Sequence, residues 1–298
     1  MAVTREHKDR LFKFIFGNPG YKEWTLSLYN AVNGTDYTNA EDIRLTTIED
    51  VVYMGMKNDV SFIIGDNMSF YEQQSSYNPN MPMRFLVYIG MAYSRYIQSA
   101  GNYNQYSGSL QKAPTPRCVC FYNGISKKED KVILKLTDAF ESESDVEVKV
   151  LMININYGHN KELLEKCEPL NEYSWFVDRI REKQKIMNSL EDAVDASIEE
   201  MSDNYVIKPF LIENRAEVKY MCITEYDEEK TLAALKKEYR EEGREEGRAE
   251  GRKEGRAEGV FNTLVALVKK GMLSISSAAE EANMTVTEFE AKAGMKFR

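Results

Sequence analysis

The sequence predicts an α/β protein: strands interleaved with helices, followed by a stretch that is helical and acidic. Three observations carry this. Runs rich in Val, Ile, Tyr, Phe and Thr, bounded by Gly, Asn or Asp, recur at about 43–54, 58–64 and 68–74 and read as strands. They lie between stretches of helical period, two before them and the long apolar MPMRFLVYIGMAYSRYIQ after them. From 160 to 230 the pattern is helical and acidic.

Taken in order, DRLFKFIF (9–16) and YKEWTLSLYNAVN (21–33) carry apolar positions at helical spacing. Gly17, Pro19 and Gly20 separate them, and Gly34 closes the second. The three strand candidates follow. MPMRFLVYIGMAYSRYIQ is apolar nearly all round, which predicts a buried core helix. Pro114 and Pro116 end a polar loop before another strand, PRCVCFYNG, and VEVKVLMININY (146–157) reads as one more. At 298 residues and 43% hydrophobic, the chain is long enough to bury a substantial core.

Residues 241–259, EEGREEGRAEGRKEGRAEG, repeat with a period of four. Acid and base three and four apart favour a helix, whereas glycine at every fourth position costs roughly 1 kcal/mol each relative to alanine. The expectation is a marginal, solvated, partly helical spacer; the alternative is a glycine stripe on which another helix packs. The last segment outlines a helix-turn-helix with Ser274 or Ser276 and Thr285 as N-caps. Its final helix carries Glu288 and Glu290, poor chemistry for a major-groove reader. A small docking or oligomerisation bundle is expected, and with it a homo-oligomer formed through the helical C-terminal region.

Composition narrows the function. No run approaches the roughly 18 apolar residues of a membrane span, so a soluble, cytoplasmic protein without a membrane partner is expected. Cys118, Cys120, Cys167 and Cys222 have neither zinc nor disulfide spacing and read as buried thiols. With His7 and His159 the only histidines, a histidine-rich metal site or a Ser-His-Asp hydrolase has little to draw on. The net charge of −9 is uneven: 11 basic and 11 acidic residues up to 125, 15 and 25 from 126 to 230, 13 and 12 thereafter. A neutral first segment leaves nucleic acid open as a partner there.

KNDVSFIIGDNMSFYEQQ (57–74) is the stretch that carries chemistry. Folded as a hairpin on Gly65 and Asp66, it pairs residues whose numbers sum to 131. Asp59 then faces Glu72, and Lys57 faces Gln74; all four emerge from one face at one end. Two opposed carboxylates repel unless a positive charge sits between them. Oxygen ligation from carboxylates, a backbone carbonyl and water suits Mg²⁺ or Mn²⁺, with Asp59, Glu72 and Gln73 as the ligands. Such a cation supports phosphodiester hydrolysis. The rival reading has Asp59 merely ending a strand and Glu72 as a solvated edge residue.

D-x12-E-x-Q across a strand hairpin, preceded by a helix and followed by the long helix and PRCVCFYNG, resembles the PD-(D/E)XK nuclease superfamily. FKFIF, VLMININYGHNKELLEKCEPLNEYSWFVDRIR, ITEYDEEK and EEGREEGR resemble its Rpn branch, the bacterial recombination-promoting nucleases also labelled transposases. The similarity covers most of the chain. It implies a restriction-endonuclease-like core, a central mixed sheet flanked by helices, and Mg²⁺-dependent DNA cleavage in mobile-element or genome-defence biology. By position Asp59 and Glu72 match the motif's acids, Gln74 stands where many members have lysine, and Asn58 replaces proline. Losing lysine removes a cation that orients water; glutamine still hydrogen-bonds it, and Lys57 can restore the charge. Asp59, Glu72, Gln74 and Lys57 are therefore the expected catalytic set.

Some superfamily members add an acid from the first helix, for which Glu23 and Asp9 are candidates; either is equally a helix-surface residue. Arg84, Tyr88 and Arg95 fall within about 40° on the long helix and form a candidate DNA-binding stripe, unless Arg84 closes a salt bridge in the core. Tyr103 and Tyr106, in the loop GNYNQYSGSLQK, are further candidates for substrate contact, which an ordinary loop explains as well. The expected organisation is a nuclease-like core over 1–158, an acidic helical region over 159–230, the repeat spacer over 231–260 and a small helical segment over 261–298. A catalytically weak relative that binds DNA or protein is the alternative function, and no trio of widely spaced acids marks a conventional transposase.

Overall fold

The computed structural model describes residues 11–46, 59–99, 103–104, 106–187 and 189–296. His7, Asp9, Lys57, Asn58 and the predicted strand beyond residue 46 lie outside the described residues. The chain divides into two compact units, Met1–Glu229 and Lys230–Arg298.

The first unit is α/β. Helices α1 (Leu11–Phe16) and α2 (Lys22–Asn33) come first, in the predicted places, and Gly34 ends α2 in the left-handed conformation at φ 66°. Short strand β1 (Arg44–Leu45) leads to β2 (Val60–Ile64) and β3 (Asn67–Gln74), then α3 (Met81–Gln98), β4 (Thr115–Tyr122), β5 (Lys131–Lys135) and β6 (Lys149–Asn154). They form a six-stranded mixed sheet ordered β1-β2-β3-β4-β6-β5. The pairs β3–β4 and β4–β6 are parallel; β1–β2, β2–β3 and β5–β6 are antiparallel.

The β2–β3 hairpin has the predicted register: Val60 pairs with Tyr71 and Ile64 with Asn67, so partner numbers sum to 131. Gly65 turns it at φ 53°, a conformation open to glycine without steric cost. Helices cover both faces, which is why β2 and β3 are buried almost throughout instead of alternating with polar residues. Phe62, Tyr71, Val119, Phe121 and Ile153 join Phe12, Phe16 and Tyr29 on one face. Met68, Phe70, Cys120, Tyr122 and Met152 join Phe85 and Tyr88 on the other. The four cysteines are free thiols, and Cys118 and Cys120 share the second face, as their spacing predicts.

Two expectations need correction. Helix α3 is not buried all round: Met81, Phe85, Tyr88 and Ala92 face the sheet while Met83 is 44% exposed, because a crossover helix has only one sheet to cover. Strand β5, KVILK, escaped the sequence reading; it is a short edge strand whose lysines and exposed Ile133 dilute the apolar signal.

The acidic region does not stand apart from the sheet. Helices α4 (Lys161–Lys166), α5 (Glu168–Gln184), α6 (Leu190–Glu200) and α7 (Lys208–Glu213) contribute Leu164, Leu170, Tyr173, Phe176, Val194, Ile198 and Leu211 to the same cluster as Phe12 and Phe16. Glu172 of α5 is buried and accepts the Val206 and Ile207 backbone N–H groups at 2.9 Å, while Asp195 is in ion pairs with Arg215 and Lys219 and Glu200 with Arg179 and Lys183.

Helix α8 (Arg215–Lys269) is continuous through the EEGR repeat, where a partly helical spacer was expected. In the second unit, the end of α8 packs with α9 (Ile275–Glu281) and α10 (Val286–Ala293) around Phe261, Leu264, Ala278, Ala279 and Phe289. Ser274 and Thr285 are the N-caps, and Glu288 closes a capping box with Thr285. That acid serves the helix start. Among the described residues no helix is long and apolar enough to cross a membrane.

Candidate active site

The site lies where β3 ends. Strand β3 runs between β2 and β4, so Glu72 is no solvated edge residue; it is 1% exposed. Alternation along the strand puts Glu72 and Gln74 on the face that carries Met68 and Phe70, beneath α3. Asp59, buried just before β2 and one residue past the Val60–Tyr71 pair, accepts the Gln73 backbone N–H on its Oδ2 at 2.7 Å, beside Glu72. The two acids thus stand together at one end of the hairpin.

Only six residues connect β3 to α3, so the first turn of α3 reaches back over the strand end. There Arg84 Nη2 donates to Glu72 Oε1 at 2.6 Å and to the Tyr88 hydroxyl at 2.9 Å. Gln74 Nε2 donates to the same Glu72 Oε1 at 3.2 Å. Gln74 is therefore a neutral donor that fixes Glu72. Burial, reinforced by the Glu72 charge and more weakly by that of Asp59, pushes the Tyr88 hydroxyl well above its usual range, while Arg84 opposes the shift. Both carboxylates act on one hydroxyl, a sign that their fields converge there.

The opposite face supports the strand from behind. Gln73 Nε2 donates to Asn123 Oδ1 at 2.6 Å, and Asn123 Nδ2 donates to the Tyr173 hydroxyl at 3.3 Å. All three are buried, and burial holds Tyr173 neutral. Gly124 lets the β4 end approach this closely, since a Cβ there would lie 2.1 Å from the Ser75 carbonyl oxygen. Asn123 and Tyr173 were not picked out from sequence; the one available signal was a polar Asn closing the apolar strand RCVCFYN.

The predicted residues separate into those brought together and those apart. Asp59, Glu72, Gln74, Arg84 and Tyr88 form one cluster, with Gln73 entering it through its main chain. Arg84 makes the core salt bridge that was the alternative to phosphate binding. Arg95 is half-buried near the far end of α3. Glu23 is exposed in the first turn of α2. Lys57 and Asp9 fall outside the described residues, and Tyr106 is 88% exposed.

The donor chemistry fits a hard divalent cation: carboxylate oxygens from Asp59, just before β2, and Glu72, on β3, held in place by Gln73 and Gln74. Among the described residues no three His, Cys, Asp or Glu side chains gather, so a cation held here completes its shell from main-chain carbonyls, water or substrate. No family model, curated protein or solved structure matches the chain.

Proposed function

We propose that the protein is a Mg²⁺-dependent DNA endonuclease of the recombination-promoting type, acting in mobile-element or genome-defence biology. The observation that carries this reading is the juxtaposition of Asp59 and Glu72 at the hairpin end, with Gln74 on Glu72 and the cationic Arg84 beside them. Asp59 and Glu72 would hold the cation, Mg²⁺ or Mn²⁺, through carboxylate oxygens. When bound, it polarises the phosphodiester and lowers the pKa of a water. Gln73 orients Asp59 through its N–H. Gln74 orients Glu72 and offers an amide to the attacking water; Lys57, which lies outside the described residues, is the residue expected from the sequence to supply the charge that glutamine lacks. On this reading the enzyme works in the cytoplasm, in keeping with four free thiols, and assembles through the C-terminal unit, where Val260 and Met272 are exposed.

A catalytically weak relative that binds DNA or protein is the second reading. Two features favour it: glutamine in the lysine position, and Arg84 already neutralising Glu72.

Supercoiled plasmid incubated with the full chain in Mg²⁺ or EDTA separates the two. Metal-dependent nicking that Asp59→Ala reduces by about 100-fold or more supports the enzyme. Nicking indifferent to Asp59→Ala defeats it.

A further inference from the structure

We infer that Arg84 is a built-in competitor for the cation: loading a divalent ion at Glu72 displaces the Arg84 guanidinium and frees it for a DNA phosphate. This deepens the nuclease reading and rests on it.

The burial of the pair is one-sided. Glu72 is 1% exposed, whereas the Arg84 side chain is 25% exposed and has water to move into. Glu72 Oε1 already receives two donors, Arg84 Nη2 at 2.6 Å and Gln74 Nε2 at 3.2 Å. A carboxylate oxygen has two lone-pair directions, so a cation that ligates Oε1 competes with the two donors already on it. Gln74 is 6% exposed and anchored in β3; Arg84 is the wetter and longer side chain. Charge selects the same loser, because a guanidinium within hydrogen-bond reach of the ligating oxygen repels a divalent ion while a neutral amide does not. The leash is the Tyr88 hydroxyl, buried one turn along α3, which accepts from the same Nη2 at 2.9 Å.

Displacement leaves a planar five-donor cation at the rim of the site, suited to bidentate contact with a phosphate. Cation and DNA then bind with positive coupling: each favours the state in which Arg84 has left Glu72. Cation binding in the absence of DNA is weakened by the same contact.

The test is Mn²⁺ titration of the full chain, read as loss of the free-Mn²⁺ electron paramagnetic resonance signal, a readout independent of cleavage. Arg84→Gln is expected to tighten Mn²⁺ about tenfold, Arg84→Lys to stay near wild type, and Tyr88→Phe, which cuts the leash, to tighten it several-fold. Circular dichroism establishes that each variant is folded; should Arg84→Gln fail to fold, Tyr88→Phe decides. In a second arm, Ca²⁺ is expected to raise wild-type affinity for a fluorescently labelled DNA duplex more than that of Arg84→Gln, by fluorescence anisotropy. Asp59→Asn distinguishes the two levels of failure. If it leaves Mn²⁺ binding unchanged, the metal-site reading itself falls, and this inference with it. If it abolishes binding while Arg84→Gln and Tyr88→Phe leave affinity at the wild-type value, a cation reaches Glu72 without disturbing Arg84, and the inference alone is overturned.

Discussion

A carboxylate at 1% exposure is expensive unless its charge is matched, and Glu72 is matched by Arg84 at 2.6 Å. Deleting one member of such a pair costs more than deleting both, because the survivor keeps its desolvation penalty. Arg84→Met is therefore expected to destabilise the first unit by roughly 3 kcal/mol, the low end for a buried pair because the arginine is partly wet. Glu72→Gln combined with Arg84→Met should recover most of that loss. Urea unfolding followed by tryptophan fluorescence reads both; a single variant costing well under 1 kcal/mol would mean that Glu72 does not depend on Arg84. The register of the hairpin, which brings Asp59 next to Gln73 and so beside Glu72, was legible in the sequence, since a two-residue turn on Gly65–Asp66 fixes it by arithmetic. The Arg84 contact was not, because it depends on how a crossover helix sits over the sheet, which spacing within one element does not encode. Arg84 and Tyr88 could be placed on one helical stripe, yet what that stripe faces is a tertiary fact.

At the scale of elements, legibility followed burial and length. Strand β3 and helix α3 announced themselves by long apolar runs, whereas β5 is five residues at a sheet edge. The acidic stretch looked separate because charge dominates its composition, but its apolar stripe packs in the main core and its acids serve as ties between helices. Asp195 on α6 is one such tie, bonded to Arg215 Nε at 2.6 Å and to Lys219, both in the first turns of α8. Partial burial raises its pKa, but the hydrogen bonds and charges of Lys219 and Arg215 outweigh that and hold the carboxyl below its usual range. A depressed pKa means stabilisation that is present above the unfolded value of about 3.9 and lost as pH falls through the folded one. Asp195→Asn is accordingly expected to cost about 1 kcal/mol at pH 7, a modest figure because the cluster is partly solvated, and almost nothing at pH 2.5. Urea midpoints of both proteins at the two pH values check this, and a gap that persists unchanged in acid would remove the ion pairs as its cause.

For the whole molecule, the unusual feature is that helix α8 continues through five glycines spaced four apart, Gly243 to Gly259, in the second unit. A Cβ built on any of them meets nothing within 4 Å, so nothing among the described residues requires glycine there. Four residues turn an α-helix by about 400°, so the stripe drifts roughly 40° per repeat and about 160° from first to last. No straight partner can lie along all five, which argues for a solvated helix over one built around a glycine seam. Alanine is more favourable than glycine in an open helix interior by roughly 1 kcal/mol per site. Gly247→Ala combined with Gly251→Ala is thus expected to raise the melting temperature of the α8 signal in circular dichroism and to leave the molecular mass by light scattering unchanged. Were another helix seated on these glycines, the two methyl groups would obstruct it, and the pair of substitutions would lower the mass or the melting temperature. The proposed assembly through the C-terminal unit would in that case depend on the repeat.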